Sequence, residues 1–218
     1  MTMSAAISSS DGAEHDDVRL QRTSGRARMS FRYSDGMTRL GDLFQEGAAK
    51  VRFPKVLAGS PPEAVIINTA GGLTGGDRFS VDAEIADDAS AVITSQACEK
   101  IYKSGGDTAR VENRLRLGAG AVCAWLPQET ILYDKARLER SLEADLAADA
   151  ALLAVEPLIL GRQAMGETVS LGRLRDRWRI RREGRLQHAE ELRLDGDIEA
   201  LTHAAPLLAG HSCAATVM

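Results

Sequence analysis

The sequence predicts a mainly β protein, built of stacked strand–turn–strand units in a β-helix or solenoid-like arrangement with a few short helices. Two observations carry that expectation. First, one pattern recurs at residues 81–91 (VDAEIADDASA), 111–121 (VENRLRLGAGA) and 142–152 (LEADLAADAAL), with offsets of 30 and 31 residues. Val81, Val111 and Leu142 coincide, as do Ile85, Leu115 and Leu146, and Ala89, Ala119 and Ala150. Second, apolar residues within each copy are spaced by two, the period of a half-buried strand. An Asp-Ala or Gly-Ala turn then leads into a second strand at 91–94, 121–125 and 152–155.

The elements follow in order. Residues 1–24 are polar, with Ser8, Ser9, Ser10, Asp11, Asp16 and Asp17, and read as a disordered arm. Residues 25–218 read as one domain. The stretch 26–33 (RARMSFRY) is rich in β-formers and Ser34-Asp35-Gly36 is a turn signal. Residues 57–63 hold Gly59 and two prolines, a loop, and 64–69 (AVIINT) suit a short buried strand before the glycine-rich TAGGLTGGDRF. At 136–154 propensity favours a helix, because Leu138, Leu142 and Leu146 are also spaced by four. The repeat favours strands there, since the equivalent segments carry Val and Asn. Residues 178–182 and 186–194 flank Glu183-Gly184, a hairpin signal. The sequence reaches Met218 within an apolar, strand-like stretch.

Composition narrows the class. Apolar residues make up 44 %, charged residues 27 % and aromatics only 4 %, so small aliphatic residues must do most of the packing. A net charge of −4 gives no reason to expect nucleic acid. No apolar run approaches the roughly 20 residues of a membrane span, and the N-terminus lacks the apolar region of a secretory signal. Cys98, Cys123 and Cys213 are widely separated and odd in number, which fits free thiols in a cytoplasmic protein.

The chemistry-bearing residues are few. Gly71-Gly72-Leu73-Thr74-Gly75-Gly76 is followed by Asp77, not by the Lys-Ser/Thr of a phosphate loop, so a close-packed turn is the better reading. His211 and Cys213 share one face of any strand but make only a two-ligand set. No catalytic motif is present, and no catalytic residue is assigned. Asp77, Glu129, Glu156 and Glu167 stand in apolar or glycine-rich surroundings: GGD, WLPQETI, AVEPLIL and MGET. Buried acids need a cation or a metal beside them. Lys100, Arg78 and Arg162 are near in sequence.

TAGGLTGGDRF (69–79), TSQACEKIYKS (94–104), WLPQETILYDKA (125–136) and LGRQAMGET (160–168) resemble, in order and spacing, successive blocks of the UreD family of urease accessory proteins, also called UreH. Thr38-Arg39-Leu40 and residues 50–54 look like its earlier blocks. The family chain normally continues beyond the point equivalent to Met218, so the sequence resembles a C-terminally shortened member with an additional N-terminal arm. The resemblance implies a non-catalytic scaffold that binds apo-urease and UreF, with UreG bound through UreF, and that helps deliver nickel to the urease active site. It allows a dimeric assembly within that complex. No tightly bound cofactor is implied, only transient nickel. Asp77 and Glu156 match positions lining the family's proposed nickel channel. Glu129 and Glu167 join them as candidates, since weak oxygen ligands suit an ion that must leave again. Two rival readings are a carbohydrate-active β-helix enzyme using paired acids such as Asp77 and Glu156, and an interaction solenoid with no metal role.

Overall fold

The computed structural model describes residues 21–218, so the arm expected at 1–24 lies, up to residue 20, outside the described residues. β1 (Ser24–Ser34) and β2 (Met37–Gly47) form the first hairpin, turned at Asp35-Gly36. β3 (Ala49–Arg52) pairs antiparallel with β4 (Glu63–Asn68) across the proline-containing loop. From there the chain coils. One coil holds β5 (Arg78–Ile85), β6 (Ser90–Ser95) and β7 (Glu99–Ile101). The next holds β8 (Ala109–Leu117), β9 (Val122–Leu126) and β10 (Thr130–Leu132). The third holds β11 (Arg137–Leu146) and β12 (Ala151–Leu160), followed by a 3-10 turn at Gln163–Met165. β13 (Leu171–Arg182) and β14 (Arg185–Asp197) make a closing hairpin, and α1 (Ile198–His203) and β15 (Cys213–Val217) follow.

Successive coils stack in parallel. The first sheet runs β14-β13-β11-β8-β5-β1-β2, the second β3-β4-β6-β9-β12-β10-β7, with β15 antiparallel on β12. β12 spans two parts of the second sheet: it pairs with β9 through Ala154 and with β10 from Leu158. Pro157, which has no N–H to donate, falls in the gap between these two ladders. Glu183 and Gly184 both take positive φ, at 50° and 72°, the two-residue turn that matches strand twist.

The 136–154 segment is two strands, not a helix. β11 is hydrogen-bonded along its length to β8 and β13, and this ladder overrides the leucine spacing. The repeat is real, but its middle copy sits two residues further on than apolar matching suggests. Val81 is in register with Asn113, not Val111, and Asn113 with Leu142. Ile85, Leu117 and Leu146 stack likewise. The slip has a physical cause: a buried asparagine fills a position that is apolar in the other two coils.

Alternate residues of every coil point inward. Ala89, Ala121 and Ala150 close the corners, and Leu115, Leu138, Leu142, Trp125 and Trp178 are buried at the centre. Each of these large side chains contributes about 1.5–3 kcal/mol by leaving water. The two outer faces differ sharply. Across the first sheet run two in-register rows, Arg28-Asp82-Arg114-Glu143-Arg179 and Ser30-Glu84-Arg116-Asp145-Arg181. Across the second sheet, β6, β9 and β12 present no charge outward, and Val122 and Leu153 are about half exposed.

Candidate functional site

Five neighbouring strands each deliver a polar or indole-bearing side chain to one point in the interior. Asn113 comes from β8, Trp125 from β9, Arg140 from β11, Glu156 from β12, and Asp176 and Trp178 from β13. The inward phase of each strand puts them there. Glu156 is 2 % exposed and sits at the hub. Its Oε1 accepts from Trp125 Nε1 at 2.9 Å and from Asn113 Nδ2 at 3.4 Å, and its Oε2 accepts from Trp178 Nε1 at 3.1 Å. Arg140 Nε lies 3.5 Å from Oε2.

Arg140 is shared. Its Nε donates to Asp176 Oδ1 at 3.1 Å, its Nη2 to Asp176 Oδ2, and its Nη1 to Thr130 Oγ1 at 3.0 Å. Burial opposes the guanidinium charge, but Glu156 and Asp176 together outweigh it and hold Arg140 above its ordinary pKa. Two carboxylates against one arginine leave this buried cluster with one formal negative charge in excess.

The cluster faces a cavity of about 290 Å³ lined by residues including Asn68, Val81, Glu99, Asn113, Arg140 and Glu156. The segments 95–99 and 127–128 border the same space, and Gln96 and Gln128 within them are exposed. Glu99 is the second carboxylate of the lining. Asn68 Nδ2 donates to both its oxygens, at 3.0 and 3.2 Å. Burial pushes Glu99 up to about 7, partly offset by the Asn68 bond and a backbone bond. Glu99 is not among the four carboxylates expected from sequence, although its spacing by two from the buried Ile101 marks it as inward-facing.

The four carboxylates expected from sequence are not brought together. Glu156 alone lines the cavity. Asp77 is buried, but its Oδ1 accepts from the Thr23 amide and its Oδ2 from the Thr74 amide, both at 2.8 Å. It ties the glycine turn to the residue that leads into β1. Glu129 is half-buried and contributes its backbone carbonyl to the Glu99 amide. Glu167 accepts from Arg162 Nε at 2.6 Å on the outside of the molecule. Asp77 is not among the residues lining the cavity at Glu156. His211 and Cys213 are both exposed. Cys123 is buried and its thiol is pushed up to about 12. Among the described residues no group of three or more His, Cys, Asp or Glu side chains is placed to hold a metal ion, and no helix is long and apolar enough to cross a membrane.

A β-solenoid with an ionic cluster and a cavity at its centre is the class that this fold and site define. The family of UreD urease accessory proteins matches residues 23–218. A relative from Rhizobium rhizogenes named urease accessory protein UreD is 54 % identical over 201 residues, covering 92 % of this chain and 73 % of its own. Another of that name from Brucella suis is 52 % identical over 200 residues, covering 91 % and 71 %. The chain belongs to the UreD urease accessory protein family.

Proposed function

We propose that the protein is a non-catalytic scaffold of urease maturation. It holds apo-urease and UreF, with UreG bound through UreF, and assists delivery of nickel to the urease active site in the cytoplasm. Family membership supports the maturation role. The observation that carries the nickel step is the interior cavity of about 290 Å³ with carboxylates at Glu99 and Glu156. A passage for a divalent ion needs oxygen donors that hold it weakly, and carboxylate and amide oxygens suit this better than thiolates. Glu99, held by Asn68 and a backbone bond but by no cation among the described residues, is the more available of the two. Glu156 already accepts from two indoles and sits against an arginine, so its part in the path is to set the local field. Asp77, Glu129 and Glu167 lie off the cavity lining and take structural roles in this scheme.

The outer face of β6, β9 and β12, which carries no charge, supports the need for a partner, because an apolar face of this kind favours association. The test is to express the chain with a urease operon lacking its own UreD and to measure urease activity and nickel content together. Restored activity with restored nickel is expected. Activity that stays at the level of the empty operon would refute the proposal.

A further inference from the structure

The last strands of the solenoid bring an imidazole and a carboxylate together at one end of the molecule. β14 is the edge strand of the first sheet and pairs antiparallel with β13, Trp178 opposite Glu190 and Ile180 opposite His188. Cross-strand partners share a face, so His188 and Glu190 follow the inward phase of the buried Trp178 and Ile180. Beyond His188 the pairing slips by one residue, to Arg181 opposite Leu186, and Gln187 is left over. A bulge of this kind re-aims the side chain beside it. β15 reaches the same place from the second sheet, with Thr216 opposite Glu156.

The two groups are held but not satisfied. His188 Nε2 is closed off from solvent and has no hydrogen-bond partner among the described residues. Glu190 Oε2 lies 3.4 Å from it without completing a hydrogen bond, and no lysine or arginine among the described residues pairs with this carboxylate. Thr216 Oγ1 donates to Glu190 Oε1 at 3.2 Å and so orients the carboxylate from β15. The Trp178 ring stands edge to face with the His188 ring, centroids 6.5 Å apart. The two side chains are 37 % and 45 % exposed, so the pair is within reach of an ion from solution.

Their spacing suits a shared ion. Two bonds of about 2.0–2.1 Å that meet at about 90–109° span about 2.9–3.4 Å. The 3.4 Å between His188 Nε2 and Glu190 Oε2 is the wide end of that range. Imidazole with carboxylate suits nickel, zinc or copper, whereas magnesium and calcium prefer oxygen alone. Trp178 links the pair to the interior, since its Nε1 donates to Glu156 while its ring faces His188.

We infer that His188 and Glu190 form a weak site for a divalent transition-metal ion of nickel's class at the end of the solenoid, with Thr216 orienting the carboxylate and water completing the coordination. Two protein ligands hold such an ion loosely, as a station in a transfer requires. The inference deepens the nickel step proposed above and rests on it for the purpose of the site; binding itself rests on the donor pair.

The experiment titrates nickel sulfate into the full chain and follows tryptophan fluorescence, because Trp178 adjoins the pair and an open-shell ion quenches a neighbouring indole. Zinc, whose d shell is filled, is the competitor and magnesium the control. The variants are His188→Ala, Glu190→Gln and Glu99→Gln. Glu190→Gln keeps the size of the side chain and an acceptor for Thr216, and the melting temperature checks the fold of each. The expected result is a saturable quench by nickel, relieved by zinc and absent with magnesium. Its apparent Kd should rise about tenfold or more in His188→Ala and in Glu190→Gln, and stay within about twofold in Glu99→Gln. A quench that neither end substitution alters overturns the site, as does the lack of any saturable quench. So does a quench that depends on Glu99 alone, which would place the ion in the cavity. If the quench depends on His188 but urease activity is not restored in cells, the delivery role falls and the site stands. If activity is restored and the quench ignores His188, the site alone falls.

Discussion

Replacing Glu156 with alanine tests whether the interior cluster is first of all architecture. The substitution leaves Trp125 Nε1 and Trp178 Nε1 without their acceptor, and each stranded buried donor costs about 1–3 kcal/mol. Arg140 keeps Asp176 and Thr130, so its charge is not orphaned. The adjoining cavity gives water some access, which holds the sum to about 3–5 kcal/mol, the range for breaking a buried ion pair. Glu156→Gln is milder but not neutral, because its amide offers one acceptor where two indoles need one each. The two tryptophans of the chain are the ones that donate to Glu156, so their fluorescence reports this cluster directly. With a slope of about 2 kcal/mol per molar urea, the midpoint should fall by roughly 2 M, with altered emission before unfolding. A midpoint shift under about 0.5 M with unchanged emission would refute the architectural account. If nickel loading then fell while the complex stayed intact, the carboxylate would be a ligand of the path instead.

The remaining predictions can be checked on the isolated chain or with UreF. Glu99 is held near 7 against a usual value of 4.5, so the folded state keeps its proton where the unfolded chain has lost it. Its contribution therefore falls as pH rises through about 4.5 to 7, by about 2–3 kcal/mol after allowing for partial solvent access. Glu99→Gln should flatten that slope and raise stability at pH 8 in urea titrations; an unaltered slope would remove burial of this carboxylate as its cause. Asp77→Ala should cost about 2–4 kcal/mol and speed hydrogen exchange at the Thr23 and Thr74 amides, and protection that persists there would contradict the capping role. Leu153→Glu, on the uncharged sheet face, should change stability by no more than about 0.5 kcal/mol. It should also reduce self-association of the isolated chain and weaken co-purification with UreF; self-association that does not change would argue against this face as its source.

The stacked-strand architecture was legible because parallel coils repeat the same inward and outward phase, so a period-two pattern recurs along the chain. The hairpin turns were legible from Asp35-Gly36 and Glu183-Gly184, whose aspartate and glycines suit positive φ, while Glu183 adopts it as a less usual residue type. The register was not. Matching by apolar identity slid the second coil by two residues, because Asn113 occupies a core position for the sake of Glu156. That polar intruder was itself the signal of the interior cluster. Arg140 and Asp176 were hidden among alternating charged residues of β11 and β13, where only the phase of the strand separates an inward arginine from its exposed neighbours. Glu156 was found from its apolar surroundings. Asp77 stood out equally, but its carboxylate serves two backbone amides, a role that local composition does not distinguish from a ligand.

The rows of charge on the first sheet restrict how such a chain can grow or shrink. Neighbouring coils carry opposite signs at Asp82 and Arg114, then at Arg114 and Glu143, then at Glu143 and Arg179. Excising one coil between β5 and β11 would set Asp82 against Glu143 and Glu84 against Asp145, acid facing acid at strand spacing. Excising two would set Asp82 against Arg179 and restore the alternation. Length variation on this face is thus governed by parity, and duplications or losses of even numbers of coils are the ones its electrostatics tolerate.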